Sequence, residues 1–194
     1  MNIVFATNNL HKVKEIEKYI DKRLSLQSLS DIQFLDELPE TSGTILGNAI
    51  QKARFLYDKT GLNCFADDSG LEIESMNNRP GVDSAHFAGP QRSHSDNIKK
   101  VLNEMINIEN RKAKFVTIFA LCIKGEIYIF DGIINGSITN SIRGVDGFGY
   151  DPIFIPDGFN QTFAEMPFEL KTQISHRAIA LNKLNTWLDT NILR

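Results

Sequence analysis

The sequence predicts an α/β fold with a mixed central sheet, helices on its faces and a groove between two lobes. Three observations carry this expectation. Helical periodicities enter between short apolar strands early in the chain. Paired strands and tight turns dominate its middle. The 194 residues, 42% of them hydrophobic, suffice for a sizeable core in one domain spanning 1–194.

Residues 1–6 read as an apolar strand. Asn8 and Asn9 then cap a helix in which Leu10, Val13, Ile16 and Ile20 recur at helical spacing. A short strand over 24–29 leads to a loop ending in Pro39-Glu40-Thr41-Ser42-Gly43. The second helix places Ile45, Leu46, Ala49, Ile50, Ala53 and Leu56 on one face and stops at Gly61. Residues 63–66 form a strand that runs into a polar turn, Asp67-Asp68-Ser69-Gly70, and 71–75 form another. Asn77-Asn78 and Pro80-Gly81 are further turn signals. A third helix over 93–108, capped by Ser93 or Ser95, turns Ile98, Val101, Leu102, Met105 and Ile106 inward. Residues 114–123 are apolar on both alternating faces, as in a strand covered on both sides. Lys124-Gly125-Glu126 turns the chain into a strand over 127–134, which Asn135-Gly136 ends as a hairpin turn. A loop with Gly144, Gly147 and Gly149 precedes a strand over 153–155, closed by Pro156-Asp157-Gly158. The last helix starts near Ser175 and buries Ala178, Leu181, Leu184 and Leu188.

Composition removes several function classes. With 21 Lys+Arg against 24 Asp+Glu, the net charge of −3 disfavours a nucleic-acid partner. No apolar run approaches the roughly 20 residues that cross a bilayer, and the opening MNIVFATNN lacks the features of a secretion signal. Cys64 and Cys122 lie in apolar stretches and read as reduced core residues. The expectation is a cytoplasmic globular protein with no membrane partner.

Four segments carry polar chemistry. In Thr7-Asn8-Asn9-Leu10-His11-Lys12 a strand feeds a helix through small polar residues, so backbone N–H groups and the helix dipole favour an anion that Lys12 can reach. Alone, the segment is equally a capped helix with a solvated lysine, and it lacks the P-loop pattern. Asp67-Asp68-Ser69-Gly70 sets two carboxylates on diverging sides of a strand end, one of which can hold Mg²⁺ or polarise water; the plainer reading is a polar turn. Glu40 is a further oxygen ligand for a hard cation, and Lys52 shares a helix face with Asn48. In Gly147-Phe148-Gly149-Tyr150-Asp151-Pro152 the glycines permit close backbone approach, Phe148 and Tyr150 can stack on a base and Asp151 can meet its edge; the same residues can plug a core. Lys171 precedes Ser175-His176-Arg177, whose cations oppose the dipole of the helix they begin, which favours a ligand role over helix stability. His176 also suits a buried structural role. No Cys/His cluster has zinc spacing and no GxSxG elbow is present.

The order of these segments is more specific than any one of them. Thr7-x-Asn9-x-x-Lys12, Thr44-x-x-x-Asn48-Ala49-x-x-Lys52-Ala53, Ala66-Asp67-Asp68-Ser69-Gly70, Pro80-Gly81 with Ser84-Ala85, Gly147 to Phe154, Thr162-Phe163-Ala164-Glu165-Met166 with Lys171, and Ser175-His176-Arg177-x-x-Ala180-Leu181 follow one another along the chain. This series resembles the inosine triphosphate pyrophosphatase family over essentially the whole chain. The resemblance implies an elongated α/β structure with two lobes around a deep nucleotide cleft, usually a homodimer. It implies hydrolysis of ITP, dITP and XTP to monophosphate and pyrophosphate with Mg²⁺. Thr7, Asn8, Asn9, Leu10, His11 and Lys12 would grip the triphosphate, with Lys52 on the phosphate side. Glu40 and Asp68 would hold the metal, and Asp68 would be the general base, so the catalytic set is Asp68, Lys12 and Lys52. Ser69, Phe148, Gly149, Tyr150, Asp151, Lys171, His176 and Arg177 would contact the nucleotide. Lys12, Lys52, Lys171, Arg177 and Mg²⁺ would balance the phosphate charge, and His176 or Arg177 would donate to the 6-oxo group that adenine lacks. Three positions depart from the family pattern: Asn8 stands where Gly is frequent, Gly47 where a better helix former is common, and His86 where Arg is frequent. The competing readings are a pyrophosphatase for modified pyrimidine or methylated nucleotides and a nucleotide-binding regulator that does not hydrolyse.

Overall fold

Strand β1 (Asn2–Phe5) pairs in parallel with β2 (Ser25–Gln27) and with β3 (Cys64–Ile73) in the computed structural model, which describes residues 1–193. The register sets Phe5 opposite Phe65, and their rings stack with centroids 4.5 Å apart. Beyond β3 the sheet continues through β5 (Lys112–Ile123), β6 (Glu126–Ile138) and β7 (Phe154–Pro156), in the order β2-β1-β3-β5-β6-β7. Short β4 (Arg79–Pro80) pairs antiparallel with β3, and β7 pairs antiparallel with β6. The sheet is therefore mixed, and the expected α/β class holds.

Five α-helices accompany it among the described residues. Helix α1 (Leu10–Glu17) begins at Asn9, whose side chain accepts the N–H groups of His11 and Lys12. Helix α2 (Ile45–Thr60) begins at Thr44, whose hydroxyl accepts from Gly47 N–H, and ends at Gly61 with φ 68°, a left-handed stop. Helices α3 (His94–Glu104), α4 (Phe168–Ile174) and α5 (His176–Asn191) follow.

The chain divides into two compact units. The first comprises 1–68, 117–132 and 177–194; the second comprises 69–116 and 133–176. The first unit holds two cores. One gathers Ile3, Phe5, Ile16, Phe65, Phe119 and, from α5, Leu181, Leu184 and Leu188. The other brings Ala49 and Ala53 of α2 against Cys64, Ala66, Ala120 and Cys122, small residues that let the helix approach the strands closely. The second unit packs Ile98, Val101 and Met105 of α3 with Phe115, Phe154, Phe163 and Tyr150. Each fully buried Phe contributes about 1.5–3 kcal/mol over its exposed state. Both cysteines are free and buried, as expected.

The structure corrects several local expectations. Asp67-Asp68-Ser69-Gly70 is no turn: β3 runs unbroken through it, and Asp67 and Asp68 are buried. Asn135-Gly136 ends no strand either. Helix-like positive φ is absent there, β6 continues to Ile138, and Gly136 is small because β7 lies against it; a Cβ would sit 2.2 Å from the Ile155 carbonyl. Helix α3 ends at Glu104, leaving Ile106 63% exposed rather than inward. Leu10 of α1 and Leu46 of α2 are exposed as well; on α2, Asn48 and Lys52 take positions on the buried face. Helix α4 was not expected from the pattern; its seven residues are too few for a periodic signal. No helix among the described residues is long and apolar enough to cross a membrane.

Candidate functional site

In the first unit, the end of β1, the start of α1, the buried face of α2 and the middle of β3 carry one network of charges. Lys12 Nζ lies 2.7 Å from Asp67 Oδ2. Arg177 Nη2 lies 3.9 Å from the same oxygen, and Arg177 Nη1 also donates to Glu15 of α1. Lys52 Nζ lies 2.6 Å from Glu40 Oε1 and 3.6 Å from Asp68 Oδ1. Asn48 Nδ2 donates to the other oxygen of Asp68 at 3.2 Å, and the Thr117 hydroxyl donates to the Asp68 carbonyl at 3.1 Å. Side chains alternate along β3, so Asp67 meets Lys12 and Arg177 while Asp68 meets Lys52 and Asn48.

The electrostatics separate the two neighbours. Burial alone would push the Asp67 carboxyl up, but Lys12, then Arg177 and Lys52, outweigh it and hold it at about 2. For Asp68 burial prevails: its pKa is raised against the pull of Lys52 and Lys12, with a further push from Asp67 and Glu40. Burial also works against the Lys52 ammonium, yet Asp68, Asp67 and Glu40 raise its pKa. Asp67 is thus a fixed anion, and Asp68 is the carboxylate better suited to take a proton.

The second unit holds a different arrangement. Lys171 Nζ lies 2.6 Å from Asp151 Oδ2, and both side chains are buried. The same carboxylate oxygen accepts the Phe148 N–H at 2.8 Å, and Lys171 Nζ sits 4.6 Å from the Phe148 ring centroid. Gly147 and Gly149 flank Phe148 with φ 79° and 60°, and a Cβ on Gly147 would meet Asp151 Oδ2 at 2.2 Å. Gly149 N–H donates to His94 Nδ1 at 3.3 Å. His176 is buried and stacks on Phe115, centroids 4.7 Å apart and planes 11° from parallel.

Comparison with known proteins places this geometry. The family model described as the Ham1 family matches residues 3–187. The chain belongs to the Ham1 family. Its relatives include a protein of Flavobacterium johnsoniae named dITP/XTP pyrophosphatase, 47% identical over 184 residues that cover 95% of this chain and 96% of the relative. A Porphyromonas gingivalis protein of the same name is 43% identical over 187 residues, covering 96% of each. The solved structure of the Staphylococcus aureus Ham1 protein superposes with a TM-score of 0.90 at 36% identity, covering 98% of this chain and 99% of that one. The resemblance read from the motifs is borne out.

Within this Ham1 chain the structure redistributes several expected roles. Lys12, Glu40, Lys52, Asp68 and Arg177 come together in the first unit, as their expected tasks require. The N–H groups expected to be open to an anion at α1 are not: Asn9 takes those of His11 and Lys12, and Thr7 Oγ1 accepts that of Asn9 at 3.2 Å. Asn8, Leu10 and His11 are exposed around this turn. Asp151 is 3% exposed and is engaged by the Lys171 ammonium and the Phe148 N–H. The structure thus brings Phe148, Asp151 and Lys171 together in the second unit. Tyr150 is buried with its hydroxyl on the Ser84 carbonyl at 2.8 Å, which removes it as a stacking surface, while Phe148 stays partly exposed. Ser69 is half-buried in β3. Sequence reasoning missed Glu15, Thr117 and His94 as members of these networks, and read Asn48 only as sharing a helix face with Lys52. Glu15 lies one turn beyond Lys12 on α1, a spacing that could have signalled a shared face.

Proposed function

We propose that this Ham1 chain hydrolyses deaminated purine nucleoside triphosphates, dITP, XTP and ITP, to the monophosphate and pyrophosphate. The names of its relatives support the substrate class. The observation that carries the chemistry is the Glu40–Lys52–Asp68 constellation, with Lys12 and Arg177 in the same network.

The donor set fits Mg²⁺. Glu40 and Asp68 offer hard carboxylate oxygens and converge on one positive charge, the Lys52 ammonium. Mg²⁺ is commonly held by one or two carboxylates together with substrate phosphates. Bound there, Mg²⁺ would neutralise charge on the phosphoryl oxygens in the transition state.

The chain's own residues supply the rest. Asp68 accepts the proton of the water that attacks the α-phosphorus, and the bond to the leaving pyrophosphate breaks. Lys52, held between Glu40 and Asp68, and Lys12, held by Asp67, present ammonium groups to phosphate oxygens. Phe148, braced between glycines, offers a ring face to a purine.

The test is pyrophosphate release from XTP, dITP, ITP, GTP, ATP and UTP, each with and without Mg²⁺. Mg²⁺-dependent release confined to XTP, dITP and ITP is expected. Preferential release from UTP, or binding of XTP without release, would overturn the reading.

A further inference from the structure

Asn48 is 4% exposed, and both ends of its amide are engaged. Its Oδ1 accepts the Ser42 backbone N–H at 3.0 Å and the Ser42 hydroxyl at 2.9 Å. A backbone N–H can only donate, so the amide has one possible orientation, with Nδ2 aimed at Asp68 Oδ2, 3.2 Å away. The other oxygen of Asp68 faces Lys52. Asn48 thus ties the rotation of the Asp68 carboxylate to Ser42, two residues after Glu40 in the same loop.

Gly47 completes the arrangement. It is the third residue of α2, where a helix capped by Thr commonly carries Glu or Gln in a capping box. Glycine in a helix costs about 1 kcal/mol relative to alanine, so its presence there needs a reason. A Cβ at position 47 would lie 2.3 Å from Ser42 Oγ, 2.7 Å from Ser42 Cβ and 2.8 Å from Thr44 Oγ1. Such contacts cannot exist, so any side chain at 47 displaces the Ser42 side chain from the place where it holds Asn48, and turns the Thr44 hydroxyl as well.

We infer that Ser42 and Asn48 are positioning residues for Asp68, and that Gly47 is the space that admits Ser42. The inference rests on the hydrolytic reading above and deepens it. Asn48 touches neither substrate nor reacting water; it fixes the direction in which Asp68 presents its basic oxygen. A tilt of the base damages proton transfer, which belongs to turnover, more than nucleotide binding.

The experiment measures kcat and KM for XTP with Mg²⁺ in four variants, at a temperature where circular dichroism reports each as folded. Asn48→Ala is expected to lower kcat roughly 10- to 100-fold with KM within about 2-fold. Ser42→Ala, which removes the hydroxyl but keeps the backbone donor, should lower kcat about 3-fold. Gly47→Ala should lower kcat about 10-fold although neither Asn48 nor Asp68 is altered. Adding Ser42→Gly to Gly47→Ala removes both Ser42 contacts while keeping the backbone N–H, leaving only the Thr44 hydroxyl to turn aside, and should restore kcat to within about 3-fold of the unaltered enzyme. A structural role alone would move the melting temperature in all four and leave kcat untouched. Retained kcat in Asn48→Ala or in Gly47→Ala overturns the inference, as does a folded double variant that is no faster than Gly47→Ala. An unaltered protein that releases no pyrophosphate strikes the hydrolytic reading itself, a failure seen before any variant is compared.

Discussion

Buried charge is handled in opposite ways by the two units. In the second, Lys171 and Asp151 form a buried pair, both side chains 4% exposed, which also engages the Phe148 N–H and the Phe148 ring. In the first, three charges are shared between two opposite charges each. Asp67 faces Lys12 and Arg177, Lys52 faces Glu40 and Asp68, and Arg177 faces Glu15 and Asp67. The buried pair ties the loop around Phe148 to α4. Charges shared between partners can exchange them when a cation and a polyanion arrive. The lesson is that the count of partners, more than the presence of charge, separates a scaffold from a reactive centre.

The largest expected effect tests the reactive side. Asp68→Asn should lower kcat roughly 1,000-fold while the protein stays folded and still binds XTP by calorimetry. The amide keeps the shape and its oxygen can still accept from Lys52 or from Asn48, though not from both, and it cannot take the water's proton. Full activity in this variant would remove Asp68 from the centre of the first unit's chemistry.

The next effect tests the scaffold side. Asp151→Asn strands the Lys171 ammonium and should destabilise the protein by roughly 3–5 kcal/mol in urea unfolding, with Lys171→Met behaving similarly. The double variant should be less destabilised than either single one, because no charge is left stranded. The equivalent pair in the first unit, Lys12→Met with Asp67→Asn, should show no such recovery, since Arg177 then loses a partner as well. Equal recovery in both units would break the comparison.

How much of this could be read from the chain follows from the range of each interaction. The opening strand and helix, the Gly61 stop and the buried residues of α5 are local signals, and they were legible. The run through Asp67 and Gly70 was not. Two aspartates and a glycine favour a turn on local propensity, and only Lys12, Lys52 and Arg177, distant in sequence, make a strand there tolerable. The same holds for Asn135-Gly136, where the decisive neighbour is β7. At the site, the motifs named Lys12, Lys52, Asp68 and Arg177, but not which charge faces which. That Asp151 and Lys171 pair with each other depends on a contact 20 residues apart that no local pattern shows.

A smaller effect sharpens the scaffold reading. His94, at the start of α3, accepts the Gly149 N–H and lies 6.4 Å from the Phe148 ring. If the loop is held by Asp151 from one side and His94 from the other, His94→Ala should raise KM for XTP about 3- to 10-fold with kcat little changed. His94→Asn should behave like the unaltered enzyme, because the asparagine Oδ1 falls near the place of Nδ1 and can accept the same bond. Equal defects in both variants would show that the hydrogen bond is not what holds Phe148.

The smallest effect isolates burial from charge within one strand. Cys64, Asp67 and Asp68 all lie on β3 and are all buried, yet only the aspartates have cationic neighbours. Cys64 instead donates its thiol to the Ala53 carbonyl, and burial, with a minor push from Cys122, moves its pKa to about 12. Without a cation nearby, the desolvated group keeps its proton; with Lys12 and Arg177 nearby, Asp67 loses its own. A disulfide reagent at pH 8 should therefore leave Cys64 untouched in the native protein and modify it readily in urea, since only the thiolate reacts. Native modification at the rate of an exposed thiol would mean that this part of β3 opens to water. The ionisation of Asp67 and Asp68 would then need no partners to explain it, and the contrast between shared and closed charge would lose its physical basis in the first unit.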